Sequence, residues 1–346
     1  MSFESKLLYL KDQISGKATS VNLYKELKAK KKPPLEFYKQ LVLSGWGKNI
    51  PIDKVNIYSF KDNESKKTIL LESQKKIKER KSLFNLGINE RENSIIYVLS
   101  INHYLADEQT LKLFINLIKN GIDFSMEKSI IEAKKMKQNY DNYVKKQIEY
   151  SISNNKVESG CKPIKLSKEG ALNWESQKDR ITVSREVSSQ FDISQITYYL
   201  IDVLKNENTF SSGNTICTSK LWSSLYHYDC LGMVTGLVPI NISEYSINSR
   251  QVNGVSLETR AFKDKFYKEV LESCLSSELF INTEVTRNLS SEYILDTTFP
   301  VGVEIEYRSK NIVKIEFEGR FYSENAVECI LDKIEMTLKG VGCNEK

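Results

Sequence analysis

The chain of 346 residues contains only two histidines, His103 and His227, and His103 lies in a pattern suited to catalysis. It begins the run His-Tyr-Leu-Ala-Asp, which places Asp107 four residues further on. A neutral imidazole can take a proton from an attacking hydroxyl or amine if its surroundings hold it still. Asp107 can anchor the loop through a salt bridge or cap a following helix. We therefore consider His103 a candidate general base; the alternative is an ordinary strand-end histidine, and for His227 a structural role is expected.

Other chemistries leave no recognisable pattern in this sequence. Neither histidine has a cysteine, histidine or carboxylate at metal-ligand spacing, so no zinc site is predicted. There is no P-loop, no dinucleotide-binding glycine pattern and no Gly-x-Ser-x-Gly elbow. The densest basic run, Lys28 to Lys32, indicates a solvated face or a contact with an acidic partner. Nucleic acid is not expected, because aromatic residues are not interleaved with the lysines.

The elements around His103 are predicted to hold it at the rim of a sheet. Ile95 to Ile101 is almost entirely apolar and is β-branched at several positions, which indicates a strand that is buried on both faces. A short turn containing His103 follows. Apolar residues at helical spacing then begin at Leu111, which indicates a helix that Gly121 would stop.

Composition and length indicate a cytoplasmic protein with two lobes. Apolar residues make up 40% and charged residues 27% of the chain, and the net charge is +5. No signal peptide or membrane span is recognised, and the six cysteines are scattered, which is typical of free thiols. The polar stretch from Ser151 to Asp179 predicts a linker. We assign 1–155 to an N-terminal lobe, 156–180 to the linker and 181–346 to a C-terminal lobe.

The remaining periodicities predict an α+β fold in both lobes. Helices are expected over Leu7–Ile14, Tyr24–Leu43 (interrupted at Pro33-Pro34), Ile69–Phe84, Ile130–Ile148, Ile196–Val203, Phe262–Cys274 and Val327–Leu338, and strands over Val55–Phe60, Ile181–Val183, Thr215–Leu221, Gly232–Ile242, Gly302–Tyr307 and Val313–Phe317.

The run from Leu99 to Glu108 resembles the H-H-x-x-x-D-G motif of nonribosomal peptide synthetase condensation domains. The segment from Gly232 to Ile242 is similar to the family's G-x-F-x-N-x-L-P-L-R segment. Val303 to Leu338 resembles the family's last strand pair and helix. The similar segments occur in the family's order over residues 55–340.

The resemblance implies two chloramphenicol-acetyltransferase-like lobes, each a mixed sheet covered by helices, arranged as a V with a central tunnel. It implies an acyltransferase of antibiotic or peptide biosynthesis that moves an acyl or aminoacyl group from a carrier-protein thioester to a small amine or alcohol. His103 would be the general base, with Asp107 and Asn102 as structural residues. No cofactor is implied, because the acyl group arrives activated on a phosphopantetheine arm or on coenzyme A. The carrier protein would act in trans on a monomer, without nucleic acid or membrane.

The sequence departs from the family's pattern at several positions. Asn102 replaces the first histidine, Glu108 replaces the glycine, Gly236 replaces an asparagine, and Ser224 lies near the usual arginine. Residues 1–54 are atypical and do not clearly supply the family's opening strand and helix. These departures leave open a degenerate module that binds a carrier protein or tailoring enzyme without turnover. A trimeric acetyltransferase that uses coenzyme A is a third hypothesis.

Overall fold

The computed structural model describes residues 2–15, 18–61, 65–153, 181–191, 193–207, 214–219, 229–234, 236–241, 278–285, 292–293, 301–309, 311–319 and 324–340. These residues fall into two compact units. The first unit takes its residues from 2–149, 229–234 and 292–293, and the second contains the other described residues. No helix in the described part of the chain is long and apolar enough to cross a membrane.

The described residues contain seven α-helices, two short 3₁₀ helices and eleven strands. The α-helices are α1 (Phe3–Ser15), α2 (Leu35–Trp46), α3 (Lys66–Lys78), α4 (Glu108–Asp123), α5 (Met126–Ser153), α6 (Ile193–Asn206) and α7 (Glu324–Leu338), and the 3₁₀ helices are Gly47–Asn49 and Ile52–Lys54. The strands are β1 (Ser20–Lys28), β2 (Val55–Ser59), β3 (Phe84–Glu90), β4 (Ser94–Asn102), β5 (Ile181–Ser188), β6 (Asn214–Ser219), β7 (Gly236–Asn241), β8 (Leu279–Val285), β9 (Glu292–Tyr293), β10 (Val301–Ser309) and β11 (Ile312–Gly319).

The sheet of the first unit has the order β2-β3-β4-β1-β9. The pair β2 and β3 is parallel, and the other neighbours are antiparallel. Strand β1 pairs with β4 along its whole length, from Ser20 opposite Asn102 to Lys28 opposite Ser94. The strand that carries the candidate site therefore has a hydrogen-bonded neighbour on each side.

Strand β4 is buried on both faces, as predicted. Ile96 and Val98 pack with Ile69 and Leu70 of α3. The alternate residues of β4, such as Leu99, belong to a larger cluster with apolar residues of α2 and α4. Since helices cover both faces of the sheet, its central strand is held rigidly, and so is the loop that leaves it.

The N-terminal region corrects one prediction. Tyr24 to Leu43 was expected to be helical apart from an interruption at Pro33-Pro34. The part after the prolines is confirmed by α2, which begins at Leu35, but Tyr24 to Lys28 belongs to β1. Pairing with β4 decides this, because Val21 and Leu23 alternate into the large cluster while Tyr24 faces α3. Residues 1–54 therefore supply a strand and two helices where the sequence indicated no clear opening strand and helix.

Gly121 has a different role from the one predicted. Helix α4 passes through it and ends at Asp123. A Cβ atom at this position would lie 2.3 Å from Cζ of Phe37. The glycine is needed because the ring of Phe37 packs directly against the helix backbone.

The sheet of the second unit has the order β5-β11-β10-β8-β6-β7. The predicted strand pair is confirmed: β10 and β11 are antiparallel, with Gly302 opposite Glu318. The apolar face predicted for the last helix is also confirmed, since its five apolar residues, Val327, Ile330, Leu331, Ile334 and Leu338, are buried. Each unit thus contains a mixed sheet with covering helices, which confirms the α+β class. The predicted linker 156–180 and the helix predicted over Phe262–Cys274 lie outside the described residues.

Candidate functional site

His103 lies in the loop that joins β4 to α4, and hydrogen bonds from both sides fix the backbone of this loop. The N–H of Asn102 donates to the carbonyl of Leu83 at 2.9 Å. The N–H of His103 donates to the carbonyl of Thr19 at 3.0 Å, and Leu105 closes the turn onto Asn102 at 2.9 Å. The position of His103 therefore follows from the neighbouring chain segments on either side of β4.

A buried aromatic cluster packs against the loop. The indole Nε1 of Trp46 donates to the carbonyl of Leu105 at 3.0 Å. The rings of Trp46, Phe84 and Phe114 lie 5.4 to 5.8 Å apart and are fully buried. Each such ring pair contributes about 0.5–1.5 kcal/mol beyond its buried area. The hydrogen bond from Trp46 therefore ties the loop to a tightly packed part of the core.

The imidazole of His103 is half-buried, and its Nδ1 lies 3.0 Å from the carbonyl oxygen of Ala106. A carbonyl can only accept, so Nδ1 carries the proton in this contact. The lone pair of the neutral ring is then on Nε2. This arrangement fixes one tautomer and provides a base on the far side of the ring.

Asp107 is 3% exposed and caps the N-terminus of α4. Its Oδ1 accepts from the backbone N–H of Thr110 at 2.9 Å and from the Thr110 hydroxyl at 2.8 Å. Its Oδ2 accepts from the backbone N–H of Val234 at 3.1 Å. The carboxylate therefore holds two parts of the first unit together at the end of the His103 loop.

The segment 229–234 belongs to the first unit, although the sequence pattern placed a strand from Gly232 onwards. The strand β7 begins only at Gly236, which pairs with Ser219 in the second unit's sheet. The Thr110 hydroxyl lies 2.6 Å from the carbonyl oxygen of Gly232. A Cβ at Gly232 would be 2.4 Å from the ring of Tyr140, so this glycine allows the segment to pack closely.

Asn102 contacts a carboxylate that sequence reasoning missed, that of Asp12 in α1. The Nδ2 of Asn102 lies 3.5 Å from Oδ2 of Asp12. The Oδ1 of Asn102 accepts from the N–H of Tyr104 at 3.1 Å. Burial raises the pKa of Asp12, while hydrogen bonds from Thr19 and the electrostatic interaction with His103 oppose the rise. A lone aspartate in a helix 90 positions from Asn102 gives no sequence signal of this contact.

Glu108 occupies the position of the motif's glycine and is the first residue of α4. Its Oε1 lies 2.8 Å from Nζ of Lys112, one turn further along the helix. A carboxylate in the first turn interacts favourably with the helix dipole. The larger residue is thus accommodated by the helix start.

Two residues named in the sequence analysis cannot be placed relative to His103. His227 and Ser224 lie outside the described residues. Within the described part of the chain, no group of three histidine, cysteine or acidic side chains is arranged to hold a metal ion.

Comparison with solved structures identifies the fold, although no protein-family model and no curated protein matches the sequence. The starter condensation domain of rhizomide synthetase RzmA has a TM-score of 0.59 and 10% identity, covering 98% of this chain and 96% of that chain. A variant of that domain in complex with C8-CoA has a TM-score of 0.57 and 8% identity, covering 99% and 94%. The X-domain from teicoplanin biosynthesis also has a TM-score of 0.57 and 8% identity, covering 99% and 94%. That X-domain in complex with OxyB has a TM-score of 0.53 and 10% identity, covering 97% and 92%.

These likenesses extend over nearly the whole chain, and they confirm the resemblance at the level of the fold. The chain has the fold of the condensation domains of nonribosomal peptide synthetases.

Proposed function

We propose that this chain is a condensation-type acyltransferase, which moves an acyl or aminoacyl group from a carrier-protein thioester to an amine or hydroxyl. The observation that carries the proposal is the contact between Nδ1 of His103 and the carbonyl of Ala106. It leaves Nε2 of a half-buried, firmly held imidazole as a base, which general-base catalysis requires.

The proposed reaction needs no group beyond the two substrates and His103. The acceptor nitrogen or oxygen forms a bond to the thioester carbonyl carbon while its proton moves to Nε2. The tetrahedral intermediate then collapses as the C–S bond breaks, and the imidazolium returns the proton to the leaving thiolate. The products are an amide or ester and a free thiol. A thioester is already activated, so the proposal assigns no metal or cofactor to the chain.

The proposed partner is a carrier protein supplied in trans, with the acyl group on its phosphopantetheine arm. The complex of the rhizomide starter domain with C8-CoA supports a thioester ligand for this fold. Acyl coenzyme A is an alternative donor for the same reason, so the transfer assay uses carrier-protein thioesters and acyl coenzyme A.

Acyl transfer from loaded carrier protein or acyl coenzyme A to a panel of amines and alcohols, followed by mass spectrometry, tests the proposal. We expect His103→Ala to lose about 10²- to 10⁴-fold in rate, as general-base loss typically does. His227→Ala is the matched control, because it removes the other imidazole, and it should retain activity. Equal rates for wild type and His103→Ala would remove the catalytic role of His103.

A second candidate function is a module that binds a partner without turnover. The X-domain from teicoplanin biosynthesis has this fold and has been solved in complex with OxyB, which favours this alternative. It predicts that wild type and His103→Ala bind a carrier protein with the same Kd and that neither transfers an acyl group. Isothermal titration together with the transfer assay separates the two functions.

A further inference from the structure

Asp12 is buried under conditions that do not favour a carboxylate. The residue is 3% exposed, and its Oδ1 accepts from the hydroxyl of Thr19 at 2.9 Å. The Thr19 N–H lies 3.2 Å from both carboxylate oxygens, and Asn102 lies 3.5 Å from Oδ2. These donors are neutral, so they offset only part of the free energy that the carboxylate loses on leaving water. A carboxylate at such a position is a candidate for a functional role.

Arg80 fixes the end of α1 that carries Asp12. Its Nη2 donates to the backbone carbonyl of Asp12 at 2.7 Å, one of the carbonyls that the last turn of a helix leaves without a partner. Arg80 itself has φ 57° and ends α3 by donating to Ile77 at 2.8 Å, a position at which glycine is the usual residue. The guanidinium of Arg80 thus fixes the backbone of Asp12, although the backbone of Arg80 itself is strained.

Two routes lead from Asp12 to His103. Thr19 donates to the carboxylate of Asp12, and its carbonyl accepts the backbone N–H of His103 at 3.0 Å. Asn102, the residue before His103, is the second contact. Both routes consist of hydrogen bonds to the two residues that carry the backbone of the His103 loop, so Asp12 acts on the position of the imidazole.

We propose that Asp12 is a positioning residue for His103, which holds the histidine loop through Thr19 and Asn102. This inference rests on the proposed acyl transfer. It extends the site from the H-x-x-x-D loop to a helix near the start of the chain.

Asp12→Asn tests the inference, because it keeps the shape and removes the charge. The amide oxygen at position 12 can still accept from Thr19. The amide NH2 group would then face the Nδ2 of Asn102, so two donors would face each other and the hydrogen bond to Asn102 would be lost. We expect kcat to fall about 10- to 100-fold, as small misplacements of catalytic groups do, with KM unchanged. The swapped pair D12N/N102D restores a carboxylate beside His103 and a complementary hydrogen bond, and it should recover most of kcat.

Asp141→Asn is the matched control, since Asp141 is an exposed aspartate that pairs with Lys137 one turn earlier in α5. If wild type turns over and Asp12→Asn has the same kcat, the inference is wrong and the proposed function stands. If wild type transfers no acyl group, the proposed function fails, and NMR of the His103 ring in a His227→Gln background decides the inference. A ring signal displaced by Asp12→Asn and restored in the swapped pair supports it, whereas an unmoved signal overturns it.

Discussion

The carboxylate of Asp107 accepts a hydrogen bond from the backbone N–H of Val234, 127 positions further along the chain, at 3.1 Å. The other oxygen of the same carboxylate caps α4 through Thr110. Asp107 therefore uses its two oxygens to join the start of the helix after His103 to the segment 229–234. A charge-assisted hydrogen bond to backbone N–H groups is a strong structural contact.

Asp107→Asn is expected to lower stability together with activity. An asparagine has only one oxygen, so its amide group must face the N–H of either Thr110 or Val234, and one buried or half-buried donor loses its acceptor. Such a loss costs about 1–3 kcal/mol. Thermal denaturation and the transfer assay measure both effects, with Thr110→Ser, which keeps the hydroxyl, as the control. Lost turnover with an unchanged melting temperature would instead assign Asp107 a direct chemical role.

Gly121→Ala tests whether the glycine is needed to end the helix or to make room for the ring of Phe37. In an exposed helix interior, alanine is more favourable than glycine by about 1 kcal/mol. Here the new methyl group would lie 2.3 Å from Cζ of Phe37, so we expect the free energy of unfolding to fall by about 1–3 kcal/mol. The double variant G121A/F37L removes the obstructing ring carbon and should regain stability relative to G121A. Denaturant unfolding checks both, and a stabilised G121A would contradict the packing role.

The local sequence pattern predicted strand β4 and the place of His103 at its end. It did not predict the contacts that distant segments make with this loop. Nearly continuous apolar residues identified β4 as buried on both faces, which placed His103 at a sheet rim. Strand β1 was missed because Tyr24 to Lys28 was taken as the start of a helical pattern, while Val21 and Leu23 were assigned to no element. Only pairing with β4 reveals the strand. The partners of Asn102 and Asp107, namely Asp12 and Val234, lie far away in sequence, and no local periodicity reports such contacts.

The buried carboxylate of Asp12 predicts a pH-dependent stability. Burial raises the pKa of Asp12 above 3.8, so the folded state binds this proton more tightly than the unfolded state does. The stability that this group contributes is present below its unfolded-state pKa and is lost as the pH rises through the folded-state pKa. We expect wild type to lose stability relative to Asp12→Asn as the pH rises above 3.8. Denaturant unfolding of both proteins at several pH values from about 3 to about 7 measures the difference, and a difference that does not vary with pH contradicts the burial effect.

Glu108→Gly introduces the glycine that the condensation-domain motif has at this position, and it tests whether Glu108 makes the site inactive. Glu108 begins α4, and its carboxylate lies 2.8 Å from Nζ of Lys112. Glycine removes that ion pair, the favourable interaction with the helix dipole and the helix propensity of glutamate, together worth about 1 kcal/mol or more. Since the helix start already accommodates Glu108, we expect a lower melting temperature and no gain in acyl transfer. Glu108→Gln, which keeps the shape without the charge, serves as the control. A rise in transfer rate for Glu108→Gly alone would show that the bulk of Glu108 obstructs the reaction, and it would favour the binding module as the role of the wild-type chain.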